Sequence, residues 1–441
     1  CRTHAITQVR IDPSNLSHQF IPLFSTLQYY SLSGLRHKSA SYAQRGDLPL
    51  SVKSIDLFGT EIRSRVVWDD YRYNFTSRNM YNSLRETYGS PIFGLVYPAG
   101  VFNSALIGWA MNNMHGQVTW SFIDFDERKK MHDYTGWKED MNKITSVPYT
   151  DIALIFSRMT RDWSVKNTAN YPKEIMGMGQ FLTERHVPHT FILDDAIPSR
   201  DLTAFRLLLA PGMDCVSDEQ EQILKQFVRD GGALFLSGDA GIYTPSGEDR
   251  ERRAFADILT DSRLAVAAEK DWIEVKYGKG RVIYARNKSM MNEFCPSNRE
   301  TGMVYRFTPD QKITASNEKM WEHIAGTGLF KAIHIPEKVL VTAYRDETKD
   351  RKAVMIHLLN ATGVKVKQVD ALPLPDPTWE PIPDDISFEI TLPSLNNAYY
   401  ASPDAEGHKQ IDIKKTGKNR YKVTVPKETV EKYGIVYLLQ K

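Results

Sequence analysis

The clearest regularity in the chain is an alternation of apolar and polar residues at period two that sets in near Pro336. The runs KVLVTAYR, KAVMIHLLNAT, ISFEITL, KQIDIKK, RYKVTVP and GIVYLLQ are separated by Gly, Pro, Asp and Asn turns. This spacing predicts a small antiparallel β-sandwich over residues 336–441. The insert LPLPDPTWEPIPDD is too rich in proline for a central strand and reads as a surface loop. Between 151 and 335 the rhythm changes. DIALIFS, HTFILDD, FRLLLAP and ALFLSGDAG are short continuous apolar strands, and YPKEIMGMGQFLTERHVP and SDEQEQILKQFVRDGG have helical spacing. The second helix carries its own punctuation, with Ser217 as N-cap, Gln220 completing a capping box, an apolar stripe at Ile223, Leu224, Phe227 and Val228, and Gly231 as its stop. Strand and helix alternate, which predicts a doubly wound, flavodoxin-like parallel α/β sheet.

Composition narrows the classes of function. A length of 441 residues fits two or three domains. The formal net charge of +2, from 56 basic and 54 acidic residues, gives no bulk attraction to nucleic acid or to an anionic membrane, so no nucleic-acid partner is expected. No apolar run approaches the roughly 20 residues of a membrane span. The three cysteines Cys1, Cys215 and Cys295 make no disulfide framework, and no CxxC or HExxH pattern joins them to the 11 histidines, so no metal is expected. GxGxxG, GxxxxGK[ST] and GxSxG are all absent, and no cofactor is expected. Cys215 stands near a strand end but shows no His-plus-acid spacing, and a structural cysteine is the preferred reading. The chain starts at Cys1 without a Met or a signal peptide. An acylated lipoprotein residue and a trimmed start both fit, and a bacterial periplasmic or secreted location is favoured over a cytoplasmic one.

The middle segment, DIALIFSR followed by HVPHTFILDDAIPSRDLTAFRLLLAPGMDCVSDEQEQILKQFVRDGGALFLSGDAGIYTPSGEDR, resembles the trimerisation domain of family 42 β-galactosidases and related glycoside hydrolases. That domain is similar to class I glutamine amidotransferases without their cysteine, and SGDAG stands where the nucleophile would be. The resemblance implies an assembly domain, hence a homo-oligomer, trimer or dimer. LPSLNNAYYASPD and YKVTVPKETVEKYGIVYLL resemble the terminal sandwich of the same enzymes. Residues 1–150 are then expected to be the C-terminal part of a (β/α)8 barrel. IPLFSTLQYYSLSGLRHKSASYAQRGDLPLSVKSIDLFGTEIRSRVVWDDYRYN resembles a late strand, long loop and next strand, and NSALIGWAMNNMHGQVTWSFIDF resembles the last helix and strand. Eight strands need roughly 250 residues, and only about three fit here. The numbered chain is accordingly expected to be the C-terminal part of a longer polypeptide, with a barrel completed by a second chain and a degenerate barrel as the other readings.

The resemblance implies an oligosaccharide or glycoside substrate and a retaining mechanism with two carboxyls about 5.5 Å apart. The acid/base would follow the fourth strand, which is not recognisable here. The nucleophile would follow the seventh, expected to be EIRSRVVW, at the C-terminal face. The related pattern is close to Glu-x-Asp-x-Arg. Setting Asp70 and Arg72 on its Asp and Arg leaves Trp68 in place of the Glu, with Asp69 the nearest carboxylate. Asp69 and Asp70 are therefore the candidate catalytic residues, and loss of the nucleophile is the alternative. That alternative makes the chain a non-catalytic glycan-binding or assembly relative. Asp70 and Arg72 also read as a plain i,i+2 ion pair on an extended segment. Trp68 and Trp120, each expected to close a strand, suit the apolar face of a pyranose, although core packing is the common role of a lone Trp. Tyr71 and Tyr73 are weaker platforms of the same kind. Asp124 and Asp126 follow the last strand as hydroxyl ligands or a helix-start turn, and Arg36 and His37 belong to the long loop, as pocket wall or solvated surface.

Overall fold

The computed structural model describes residues 58–63, 71–89, 92–97, 102–121, 147–163, 171–286, 291–294, 307–309, 318–323, 325–326, 328–348, 351–362 and 379–440. The first elements are β1 (Phe58–Arg63), α1 (Tyr71–Tyr88), β2 (Ile92–Tyr97), α2 (Phe102–Asn113) and β3 (Val118–Ser121). Their three strands form a parallel sheet in the order β1-β2-β3. Parallel neighbours need crossovers, and α1 and α2 supply them. This differs from the sequence reading in two ways. The described part of the first strand already begins at Phe58, three residues before EIRSRVVW, whose residues 64–68 lie outside the described residues, and IFGLVY, not read as a strand, lies between the two that were.

Neither crossover helix has an ordinary amphipathic pattern, because each is clasped between two bodies. Along α2, Ala105, Leu106, Ile107, Trp109, Ala110 and Met111 are all buried, in a core shared with Leu340, Tyr344, Met355, Leu359, Tyr433 and Tyr437 of the C-terminal sheets. Helix α1 instead buries polar residues. Its Met80 and Leu84 join the core of the middle sheet, while Asn79 Nδ2 donates to the His189 carbonyl at 2.8 Å. Glu86, its side chain 7% exposed, accepts from Asn82 Nδ2 at 2.8 Å, Thr190 Oγ1 at 3.3 Å and Arg200 Nη2 at 3.2 Å. Burial pushes the Glu86 carboxyl upward, and Arg200 and Arg85 oppose that shift.

A two-residue strand β4 (Val147–Pro148) pairs with Tyr344 and Arg345 and so belongs to the C-terminal sheets. The middle sheet comprises β5 (Ile152–Phe156), β6 (Thr190–Leu193), β7 (Leu207–Ala210), β8 (Ala233–Ser237), β9 (Trp272–Tyr277) and β10 (Gly280–Ala285). Its order is β6-β5-β7-β8-β10-β9, parallel except for the β9 edge. Strands β5 to β8 are buried along their whole length, as a sheet covered on both faces requires. The helices are α3 (Arg158–Trp163), α4 (Tyr171–Glu184), α5 (Asp218–Asp230) and α6 (Asp261–Lys270). Helix α5 has the capping box read from sequence, with Ser217 and Gln220 exchanging bonds and Gly231 at φ 124 after its end. Helix α4 lies against α1 at Gly179, where a Cβ would overlap the Thr76 methyl.

The strands β11 (Met291–Phe294) and β12 (Phe307–Pro309) form a small ladder. After them come β13 (Phe330–His334), β14 (Val339–Thr348), β15 (Arg351–Asn360), β16 (Ile386–Thr391), β17 (Asn397–Ala401), β18 (Lys409–Gln410), β19 (Asp412–Lys415), β20 (Arg420–Val425) and β21 (Tyr433–Leu439). They make two antiparallel sheets, β13-β16-β20-β19 and β18-β17-β21-β15-β14-β4. Val341, Val354, Ile356, Phe388, Ile390, Val423, Val436 and Leu438 fill the space between them. No helix among the described residues is long and apolar enough to cross a membrane.

Candidate functional site

Because β1, β2 and β3 are parallel, their C-terminal ends share one edge, formed by Arg63, Tyr97 and Ser121. Register sets Glu61 opposite Leu95 and Leu95 opposite Trp120, so these three lie in one row close to that edge. With strands about 4.8 Å apart, the Glu61 and Trp120 backbones are separated by roughly 10 Å. Glu61 was missed in the sequence because EIRSRVVW made it the first residue of a strand. In the structure it is the fourth residue of β1, two before the end. Trp120 is next to last in β3, a strand end as expected.

Of the other candidates, Tyr71, Arg72 and Tyr73 fall in the first turn of α1. Arg72 therefore does not belong to the extended segment assumed for an i,i+2 pair with Asp70. Its Nη1 donates to Glu184 Oε1 at 2.7 Å, at the end of α4, and Arg185 approaches the other Glu184 oxygen at 3.9 Å. Trp68, Asp69, Asp70, Asp124, Asp126, Arg36 and His37 lie outside the described residues. The Arg72–Glu184 pair is about a quarter exposed on each side. Glu184→Ala should then lower stability by no more than about 1 kcal/mol, read as a small shift in a thermal melt.

Behind the edge, a polar knot joins four elements. The Asn112 amide donates to the Gly94 carbonyl at 3.0 Å and to Thr119 Oγ1 at 3.1 Å, and its oxygen accepts from Arg78 Nε at 2.7 Å. Gln117 Nε2 closes the knot on the Arg78 carbonyl at 2.9 Å. Arg78 is completely buried, and desolvation brings its guanidinium down to about 9, so it stays a cation at neutral pH. Gly94 is required here, since a Cβ would overlap the Asn112 carboxamide lying on the strand.

Four histidines are held neutral nearby and beneath. Burial pushes His115 and His357 down to about 3, and His186 and His189 down to about 4. The unfolded chain takes up protons on them below the ordinary value of 6.5, while the folded chain does not. Each therefore removes stability as pH falls from about 6.5 towards 4, by up to about 1.4 kcal/mol per pH unit. Asp194, pushed up to about 6 by burial, acts in the opposite direction between about 6 and 4, because the folded state protonates first. Glu86, also pushed upward by burial, acts with Asp194, and the four histidines outnumber these two carboxyls, so the melting temperature should drop between pH 7 and pH 4. A melting temperature that rises on acidification would contradict this assignment.

In the middle sheet the strand ends are closed rather than open. Asp194 accepts from Ser157 Oγ and the Met159 amide at 3.1 Å each, and from the Asp195 amide at 3.0 Å. Cys215 is 1% exposed, which suits a structural thiol, and its amide donates to Thr160 Oγ1 at 2.9 Å. After β8, where an elbow nucleophile would sit, Gly238 takes φ 63 and its carbonyl accepts from Tyr284 Oη at 2.6 Å and Arg253 Nη2 at 2.8 Å. Among the described residues no group of three His, Cys, Asp or Glu side chains could hold a metal ion.

No family model and no curated protein matches this sequence. Solved structures do match. A β-galactosidase from Bacillus circulans sp. alkalophilus aligns over 90% of this chain and 62% of its own, at 11% identity and a TM-score of 0.57. An alpha-L-fucosidase isoenzyme 2 from Paenibacillus thiaminolyticus aligns over 88% and 65%, at 14% and 0.56. A family 42 β-galactosidase from G. stearothermophilus aligns over 89% and 61%, at 13% and 0.53. The chain thus spans somewhat over three fifths of the length of these structures. Over its described parts, it shares its fold with family 42 β-galactosidases and related glycoside hydrolases.

Proposed function

We propose that this chain is the C-terminal part of a glycoside hydrolase acting on β-linked sugars by a retaining two-carboxylate mechanism. Its site is the edge formed by the C-terminal ends of β1, β2 and β3. The observation that carries this reading is the register row that sets Glu61 and Trp120 two strands apart on that edge, within the span of one sugar ring and its substituents. The Trp120 indole is assigned to the apolar face of the ring. Asp69 is assigned as nucleophile, with Asp70 beside it. Arg72 is the anchor that ties the segment behind them to Glu184. Residues 1–150 are assigned to a barrel completed by further chain, 151–335 to an assembly domain that packs two or three subunits together, and 336–441 to a terminal sandwich.

One observation favours a second reading. If β3 is the last barrel strand, β2 occupies the seventh place, where the related enzymes have the nucleophile. Neither β2 nor the following Pro98, Ala99 and Gly100 offers a carboxylate. A relative that binds glycan without cleaving it would have this pattern. Turnover of a panel of aryl glycosides by the full-length protein separates the two. Release of the aryl group from a β-linked sugar is expected for the hydrolase, and binding of the same sugars without release would select the second reading.

A further inference from the structure

The sheet β13-β16-β20-β19 packs one face into the sandwich core through Phe388, Ile390, Tyr421 and Val423. The alternate residues face outward. Register aligns Lys331 with Glu389, Glu389 with Lys422, and Lys422 with Lys414, so one row across all four strands has three lysines and one acid. That acid is already engaged, because Glu389 Oε2 pairs with Arg420 Nη1 at 3.2 Å. None of the three lysines makes an ion pair among the described residues. Lys422 and Lys414 are directly opposite on neighbouring strands, an arrangement of like charges that destabilises an antiparallel pair. The hairpin turn adds Lys418, and six of the fourteen residues from Lys409 to Lys422 are basic against one acid.

This local concentration of positive charge, on a chain of net charge only +2, is complementary to an anionic partner. We propose that this outer face binds acidic polysaccharide, with sulfate or carboxylate groups on successive sugars seated along Lys331, Lys422 and Lys414. The row spans three strand spacings, roughly 15 Å, enough for several sugar residues. It has no aromatic residue to stack a base, which disfavours single-stranded nucleic acid. The proposal rests on the glycan-processing reading above and extends it to the class of polymer.

The test is affinity electrophoresis of the full-length protein through gels containing polygalacturonate, dextran sulfate or uncharged dextran, with a single-stranded oligonucleotide as competitor. Retardation by both acidic polymers and not by dextran is expected. The double variant Lys414→Glu/Lys422→Glu should weaken it at least tenfold, with an unchanged or higher melting temperature and unchanged turnover of an uncharged aryl glycoside. Equal retardation of variant and parent would overturn the proposal, as would an oligonucleotide that competes as well as free acidic polymer. If the parent cleaves no glycoside yet is retarded through these lysines, the hydrolase reading fails while this surface stands.

Discussion

Asp69→Asn is expected to lower turnover of an aryl β-glycoside by at least about a thousandfold while leaving the melting temperature unchanged, on the scale of losing one of a catalytic carboxyl pair. The amide is nearly isosteric with the carboxylate but cannot form the glycosyl-enzyme ester. An aspartate here also holds its carboxyl about one C–C bond further back than a glutamate would. Displacements near 1 Å matter strongly for such a step, so the position tolerates little further change. Glu61→Gln is the informative companion. If it, rather than Asp69→Asn, abolishes turnover, the strand-borne glutamate is the nucleophile and the WDDYR segment only shapes the pocket.

Gly94→Val should be the most damaging single change in the scaffold. Its side chain would occupy the place of the Asn112 carboxamide, which bonds Gly94, Thr119 and Arg78 at once. Overpacking of this kind typically destabilises by 1–3 kcal/mol, and each buried partner left unsatisfied adds about 1–3 more, the larger part here falling on the Arg78 cation. A loss of about 3 kcal/mol or more is expected, read as a lower melting temperature and early proteolysis in the β1–β3 unit. Gly94→Ala should show the same effect at smaller size, and a Gly94→Val protein as stable as the parent would remove the knot from the account.

The two glycine and carboxylate positions show why this chain is unevenly legible. Four strands of the middle sheet, β5 to β8, could be read in advance because they are continuous apolar runs, and α5 is punctuated by Ser217, Gln220 and Gly231, all local signals. The sandwich strands declared themselves by period-two alternation, as in β20 with Tyr421, Val423 and Val425 inward. Strand β2 did not, since it is a short run interrupted by Gly94 and bounded by prolines at 91 and 98. What makes it a strand is pairing on both sides and an asparagine from α2 laid upon it. Helix α1 hides its burial for a related reason. Asn79, Asn82 and Glu86 are interior residues through hydrogen bonds to segments more than 100 positions away or to each other, and no stripe of apolar residues announces that. Glu61 emerged only from register, because nothing in FGTEIR says which end of the strand faces a substrate.

The central claim, a retaining hydrolase with its nucleophile on the segment after β1, is tested most directly by covalent trapping. The full-length protein would be incubated with an activated 2-deoxy-2-fluoro glycoside of the sugar it turns over, digested with trypsin and analysed by mass spectrometry. The account predicts one added fluoroglycosyl group on the peptide VVWDDYR, residues 66–72, at Asp69. A label on SIDLFGTEIR, residues 54–63, would move the nucleophile to Glu61, and turnover with no labelled peptide between residues 54 and 72 would contradict the account.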